Sequence, residues 1–279
     1  MSHLLNTLGQ ILHSDSVPPV QGLLRHTRWQ IRRLFGRFPC ELPIAGSQLH
    51  VERPGGVAAL VNAMGEYDYN NMELLRLVLS RVRGTFFDVG ANIGVYTLIG
   101  SESQNTQVVS IEPHPGTFAL LKLNVEHNSR SNVLCLNLAL SSEPGQVRLS
   151  DYQESAINRV VTPGDGESRT LSVTAQRFDQ LCSDLDLDPD FIKIDVEGHE
   201  ETLLQGFGNR LGEAKLICIE RGETPDLRGL LQSAGYSGPW YCQFKKRRLS
   251  KRKQARPEDP IYVGQSFLRD LREMNFVIG

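Results

Sequence analysis

Residues 85–98 constrain the fold of this chain more than any other part of the sequence. They read Thr-Phe-Phe-Asp-Val-Gly-Ala-Asn-Ile-Gly-Val-Tyr-Thr-Leu, so an apolar run reaches an acid, Asp88, passes Gly90 and Gly94, and resumes with helical spacing. This order predicts a buried strand, a tight turn and a helix N-terminus, the first βα unit of a nucleotide-binding sheet. Glycine lacks a Cβ atom, so the backbone of such a turn can lie close to a ligand.

The spacing of the two glycines indicates which ligand the turn suits. A dinucleotide fingerprint has the pattern G-x-G-x-x-G, whereas Asn92 stands where the middle glycine would be needed. A looser turn after an acid favours a cofactor with an amino-acid end and no pyrophosphate, so we expect S-adenosylmethionine rather than NAD. Glu112 follows Asp88 by about one βαβ unit, and an acid there is expected to accept hydrogen bonds from both ribose hydroxyls.

Strand-like and helix-like segments alternate from this turn onward, which predicts a mostly parallel α/β sheet with helices on both faces. Ligands of such sheets lie outside the carboxyl ends of the strands. The residues expected at those ends are therefore the candidate site residues. They are Asp88, Glu112, Asn137, Ala139, Asp195, Glu197 and Glu220.

The segment 191–200 carries the second strong signal. Lys193 lies inside an apolar strand, where an unpaired ammonium is costly, and Asp195 points to the same face. Glu197 and Glu220 are expected near Asp195, and carboxylates gathered in this way raise the pKa of at least one of them. We therefore expect Lys193, Asp195, Glu197 and Glu220 to be catalytic, with one acid as a base and Lys193 orienting it. His114 and His199 are the alternative bases, and no ligand pattern demands a metal.

Four motifs together resemble the FkbM-type methyltransferase family. They are Phe-Asp-Val-Gly-Ala-Asn-Ile-Gly at 87–94, Glu-Pro-His-Pro at 112–115, Asn-Leu-Ala-Leu-Ser at 137–141 and Ile-Lys-Ile-Asp-Val-Glu-Gly-His-Glu at 192–200. The resemblance implies a seven-strand class I methyltransferase (Rossmann-like) sheet, S-adenosylmethionine as cofactor, and methylation of a hydroxyl of a sugar, glycan or other small molecule. The cofactor-binding candidates are Asp88, Gly90, Ala91, Asn92, Gly94, Glu112, Asn137, Ala139 and Asp195.

The chain is expected to have three parts. Residues 1–65 form an N-terminal extension with an amphipathic basic helix and a short hairpin, 66–244 the methyltransferase domain, and 245–279 a basic loop and C-terminal tail. The basic helix is interpreted as packed on the core with a solvated basic face, or as a membrane or partner docking element. The run 245–253, with seven basic residues in nine, is interpreted as a solvated loop or as a patch for an anionic substrate.

Composition limits the remaining function classes. The net charge of −2 argues against general nucleic-acid affinity, and no transmembrane run or secretory signal is expected. Five scattered cysteines without a C-x-x-C pair favour buried thiols in the cytoplasm. Two alternatives stay open: an RNA methyltransferase, suggested only by the basic run, and a nucleotide-dependent oxidoreductase on the same sheet type.

Overall fold

A computed structural model describes residues 2–152, 158–161, 169–220, 223–251 and 259–279 of the chain. The described helices are α1 (Ser2–Leu12), α2 (Pro19–Leu34), α3 (Gly56–Met64), α4 (Tyr69–Arg81), α5 (Val95–Gly100), α6 (Pro115–His127), α7 (Phe178–Leu185), α8 (Glu200–Gln205), α9 (Pro225–Ser233) and α10 (Phe267–Glu273). The described strands are β1 (Cys40–Ile44), β2 (Ser47–Val51), β3 (Gly84–Val89), β4 (Thr106–Ile111), β5 (Val133–Leu136), β6 (Ala139–Leu140), β7 (Gly145–Ser150), β8 (Thr170–Gln176), β9 (Phe191–Ile194), β10 (Leu216–Ile219), β11 (Tyr236–Gln243), β12 (Arg248–Ser250), β13 (Ile261–Gly264) and β14 (Val277–Ile278).

The central sheet is mostly parallel and has helices on both faces, as the sequence predicts. Seven strands run β5-β4-β3-β9-β10-β13-β11, and β12 and β14 extend the edge beyond β11. The first five are parallel, whereas β13 is antiparallel to both of its neighbours. The chain leaves β3 toward β5 and returns on the other side at β9, so the sheet reverses its order between β3 and β9. Ligands of open α/β sheets bind at such a switch point. The predicted fold class is confirmed.

Apolar side chains cover both faces of this sheet. Phe86 and Phe87 point to opposite faces because strand side chains alternate, and each is fully buried in a different cluster. The face of Phe86 packs against α4, α10 and the N-terminal hairpin. The face of Phe87 packs against α7, α8 and α9. The two layers hold the strand ends in fixed positions.

The N-terminal part contributes to the same core. Strands β1 and β2 pair antiparallel through the turn at Ala45 and Gly46, so the predicted short hairpin is present. The predicted amphipathic basic helix is α2, and Trp29 on its inner side is buried against the sheet layer. No helix in the described ranges is both long and apolar enough to cross a bilayer.

The tail does not match its prediction as a basic loop outside the domain. Strand β13 lies between β10 and β11 in the central sheet, and β12 pairs with β11. The predicted boundary at 244 therefore cuts through the sheet. The prediction failed because five basic residues surround Leu249 in the described part of the run, yet Leu249 itself is fully buried. Arg252 and Lys253, at the end of the run, lie outside the described residues.

The polar, turn-rich sequence of residues 141–169 predicts a hairpin and a loop. The hairpin is present, since β7 and β8 pair antiparallel in a second, three-stranded sheet with β6. Most of the predicted loop, 153–157 and 162–168, lies outside the described residues. The part that is described, 158–161, returns to β7 through a bridge between Leu149 and Val160. This places residues 158–160 beside the carboxyl ends of the central strands.

Candidate active site

The turn after β3 brings two strand ends into close contact. Gly90, Asn92 and Gly94 have φ angles of +80°, +50° and +95°, in the left-handed region that glycine and asparagine adopt most readily. A Cβ atom on Gly90 would lie 1.8 Å from the carbonyl oxygen of Asp195. Position 90 therefore requires glycine, because the backbone of the turn lies directly against the end of β9.

Asp88 is buried at the end of β3. Its Oδ2 accepts a hydrogen bond from the Thr97 hydroxyl at 2.6 Å, and that hydroxyl also lies 2.8 Å from Ser110 Oγ. Burial raises the pKa of the Asp88 carboxyl to about 6. Helix α5 thus fixes the carboxyl group beside the glycine turn.

Glu112 is fixed at the end of β4 by two backbone donors. The amide of Asn92 donates to Oε2 at 3.0 Å, and the amide of His114 donates to Oε1 at 2.9 Å. Burial raises the pKa of the Glu112 carboxyl to about 7. A carboxylate has about four acceptor positions, so these two bonds orient Glu112 and leave it capacity to bind a diol.

One pocket joins the glycine turn to the predicted acids. Its wall contains apolar side chains beside Glu112, among them Ile111, Leu138 and Leu140. The candidate residues in this wall are Asp88, Gly90, Ala91, Asn92, Glu112, Ala139, Lys193, Asp195, Glu197 and Glu220.

Two candidates do not line the pocket. Gly94 lies behind the turn, as the residue that precedes α5. Asn137 donates to the carbonyls of Glu112 and Pro113 at 2.8 and 3.0 Å, so its side chain braces the loop behind the pocket.

The three predicted acids converge. Carboxylate oxygens of Asp195, Glu197 and Glu220 lie within 4.8 Å of one another. Asp195 and Glu220 follow the neighbouring strands β9 and β10 directly, and Glu197 adopts a φ of +51° in the turn before α8. The parallel register of β9 and β10 and the turn before α8 therefore bring the three carboxylates together.

Glu220 has a strongly raised pKa. Burial, the charge of Asp195 and a hydrogen bond with Asp195 raise the pKa of Glu220 to about 9. The prediction that one of the three acids has a raised pKa is confirmed. At neutral pH, Glu220 is protonated and can donate its proton in the hydrogen bond with Asp195.

Lys193 has two carboxylate partners, and the nearer one was not predicted. Its Nζ lies 2.8 Å from Asp259 and 3.6 Å from Asp195, and the side chain is only 3% exposed. The charges of Asp259 and Asp195 outweigh burial and raise the pKa of Lys193 well above its usual range. The predicted contact with Asp195 is thus the longer of the two. Lys193 is charged throughout the neutral range.

Sequence reasoning also missed a group of polar residues beneath the pocket. The Tyr96 hydroxyl donates to Asp68, and the Asn71 amide donates to Asp68 at 3.2 Å and to the carbonyl of Asp259 at 3.0 Å. Tyr96 and Lys193 line the pocket, and burial raises the pKa of Asp68 to about 6. Each of these residues is an ordinary polar residue in its own segment, so only the fold reveals the group.

The two histidines named as alternative bases differ in position. His199 lines the pocket, with its Nε2 3.2 Å from the Ser141 hydroxyl, and burial lowers its pKa. His114 lies outside the pocket wall as described, 3.2 Å from Asp151. Arg159, which no motif indicated, lines the pocket from the loop before β8.

The donor set of this pocket fits S-adenosylmethionine. Glu112 offers an oriented, buried carboxylate for a ribose diol, and Ile111, Leu138 and Leu140 offer apolar surface for a purine. The glycine turn leaves no room for a side chain at Gly90, and it lacks the middle glycine that a pyrophosphate site requires.

Comparison with known families decides the identity. The model of the methyltransferase FkbM domain matches residues 88–237, more than half of the chain. The chain belongs to the FkbM methyltransferase family. The predicted family is thus confirmed, and this FkbM methyltransferase uses S-adenosylmethionine as its cofactor. The oxidoreductase alternative is accordingly set aside.

Two curated relatives agree with this assignment. The FkbM methyltransferase is 31% identical over 173 residues to the hexuronic acid methyltransferase AglP of Haloferax volcanii, covering 59% of this chain and 69% of the relative. It is 24% identical over 176 residues to Methyltransferase 1 of Beauveria bassiana, covering 54% and 71%. Among solved structures, TYW2 of M. jannaschii in complex with AdoMet matches with a TM-score of 0.41 and 13% identity, over 81% of this chain and 83% of that one.

Proposed function

We propose that this methyltransferase transfers a methyl group from S-adenosylmethionine to a hydroxyl oxygen of a sugar or glycan. The observation that carries the proposal is the cluster of Asp195, Glu197 and Glu220 in the same pocket as Glu112. An alcohol must lose its proton when it attacks a methyl group, and a carboxylate cluster supplies a base at that point. A relative that acts on a hexuronic acid supports a sugar as the acceptor class.

The cofactor-binding roles follow the geometry of the strand ends. Glu112 is assigned to the ribose hydroxyls, and Asp88 with Gly90, Ala91, Asn92 and Gly94 to the amino-acid side of the cofactor. Ala139 forms part of the wall. Asn137 is assigned a supporting role, because both of its amide contacts are to backbone carbonyls.

The three acids are assigned different roles when the acceptor hydroxyl loses its proton. When bound, S-adenosylmethionine supplies a methyl group already activated on a sulfonium, so holding the acceptor oxygen in line provides much of the acceleration. Asp195 is assigned as the base and Glu197 as a contact for the acceptor. Protonated Glu220 donates to Asp195, which removes one charge from the cluster. Lys193, 3.6 Å from Asp195, stabilises the charge of the base.

Arg159 is assigned to the acceptor. It is the guanidinium in the described part of the pocket wall and lies on the loop before β8, beside the carboxyl ends of the central strands. Guanidinium groups bind carboxylates in a bidentate manner, so an acceptor with its own carboxylate, such as a uronic acid, matches this side of the pocket.

Product analysis tests the proposal. The enzyme is incubated with methyl-labelled S-adenosylmethionine and three acceptor classes: uronic acid glycosides, neutral glycosides and RNA. We expect label in a sugar product that survives mild alkali, since a methyl ether is stable there. Label lost in alkali would reveal a methyl ester on the carboxylate, and label in RNA alone would favour the RNA methyltransferase alternative. Either result would overturn the proposal.

Two matched variants test the roles of the acids. We expect Asp195→Asn to lower kcat by about 10²-fold or more, since it removes the base. Glu220→Gln keeps a neutral donor toward Asp195, so kcat should fall far less, and any loss of activity between about pH 8 and pH 10 should disappear. Cofactor affinity, measured by calorimetry, serves as the folding control. Equal losses in both variants would contradict this division of roles.

A further inference from the structure

Helix α2 has an apolar outer side that nothing in the described structure covers. Val20, Leu24, Ile31, Leu34 and the adjacent Phe35 are between 47% and 83% exposed. With 3.6 residues per turn, these positions fall on one side of the helix, opposite the buried Gly22, His26 and Trp29. Large apolar side chains aligned in this way on an exposed helix mark a surface of interaction.

Thr27 lies within the same stripe and adds little polarity. Its hydroxyl donates to the carbonyl of Leu23 at 2.9 Å within the helix, so its methyl group continues the apolar side. The stripe therefore extends along the helix from Val20 to Phe35.

The charged residues of the segment that contains this stripe are all arginines. Residues 16–40 contain five arginines and no acid, although the whole chain has a net charge of −2. None of these arginines forms an ion pair with a carboxylate of a described residue. Ile31 of the stripe also lines a groove beside the stripe. Four of the five arginines line the same groove: Arg25, Arg28, Arg32 and Arg37.

We propose that α2 docks the enzyme onto an anionic membrane surface, with the apolar stripe among the acyl chains and the arginine groove on lipid phosphates. Interfacial helices combine these two features: an apolar side, and basic residues at the level of the headgroups. A second copy is a poorer occupant, because a two-fold interface buries the same patch of both subunits and would bring two sets of five arginines together, with no acid in residues 16–40 to pair with them. The apolar stripe adjoins the arginine groove, and this arrangement matches a phospholipid, in which hydrocarbon is joined to phosphate.

Vesicle co-sedimentation with the full-length enzyme tests this proposal. We expect binding to phosphatidylcholine vesicles that contain phosphatidylglycerol, weakening with salt, and at least about tenfold weaker binding to pure phosphatidylcholine. The variant Leu24→Ser/Ile31→Ser/Leu34→Ser and the variant Arg28→Gln/Arg32→Gln/Arg37→Gln should each weaken binding by at least about tenfold. Val277→Ser and Arg269→Gln are exposed matched controls and should bind as the parent does.

Each other outcome overturns the proposal. Absence of binding to anionic vesicles, or binding unchanged in both variants, removes the docking role. Binding that inorganic phosphate displaces and that only the arginine variant loses would assign the groove to a soluble phosphate. Self-association in sedimentation velocity, lost in the apolar variant without any vesicle binding, would assign the stripe to a second copy. Unchanged S-adenosylmethionine affinity in every variant controls for folding and keeps this result separate from the proposed activity.

Discussion

At the scale of single residues, Asp259 has the clearest untested role. It lies 2.8 Å from Lys193, which in turn lies 3.6 Å from Asp195. Asp259 is therefore a positioning residue, since it acts on the proposed base only through Lys193. Removing one partner of a buried ion pair typically costs about 3–5 kcal/mol, and the remaining contact of Lys193 with Asp195 at 3.6 Å places this pair at the lower end of that range.

We predict that Asp259→Asn lowers the free energy of unfolding by about 3 kcal/mol and lowers kcat more than it raises KM. Denaturant unfolding and steady-state kinetics measure the two effects. The double variant Lys193→Met/Asp259→Asn removes both charges, so stability should recover while kcat stays low. If kcat returned together with stability, Lys193 and Asp259 would serve folding alone.

At the scale of elements, the basic tail shows how charged residues take part in packing. The Arg247 guanidinium lies 4.4 Å from the ring centroid of Phe244 and 5.4 Å from that of Phe276. Lys251 lies 5.4 Å from the ring centroid of Trp240. The described part of the run thus attaches strand β12, next to the edge strand β14, through cation–π contacts, rather than forming the solvated loop that its composition predicted.

We predict that Arg247→Ala lowers the free energy of unfolding by about 1–2 kcal/mol, because a guanidinium between two rings is partly desolvated. The exposed neighbour Lys246 is the matched control, and Lys246→Ala should change stability by less than about 0.5 kcal/mol. Cofactor affinity should stay within about threefold in both variants, since the run lies beyond the pocket wall described. Equal effects of the two substitutions on stability would contradict the packing role.

The secondary-structure elements also show which features the sequence could predict and which it could not. The βα unit at the glycine turn was predictable because its strand, turn and helix are contiguous, and Glu112 followed from the length of one such unit. The acids of the cluster were predictable because parallel strands end together. Asp259 was not, since it meets Lys193 from 66 residues away through a strand inserted between β10 and β11. The Asp68–Tyr96 contact was missed because the two residues, 28 positions apart, meet only when α4 packs beside α5.

At the scale of the whole molecule, the buried acids connect stability to pH. Burial raises the pKa of Glu112 to about 7 and that of Glu220 to about 9, from an ordinary value of 4.5. The folded protein therefore binds protons more tightly than the unfolded chain. The stability that these protons provide is fully present below about pH 4.5 and is lost as the pH rises through 7 and 9. Buried His26 and half-buried His199, whose pKa values are lowered, are neutral in the folded protein above pH 7.

We predict that the free energy of unfolding of the ligand-free enzyme falls between pH 7 and pH 9, by less than about 1.4 kcal/mol per pH unit for each proton because the acids keep some solvent contact. Urea unfolding at constant ionic strength measures the slope. Glu220→Gln removes the group with the higher pKa, so its slope should flatten above pH 8, whereas Lys246→Ala should keep the parent's slope. A free energy of unfolding that stays level or rises across this range would show that Glu220 is ionised in the folded protein. Asp195 would then lose its donor, and the proposed division of roles within the acid cluster would fail with it.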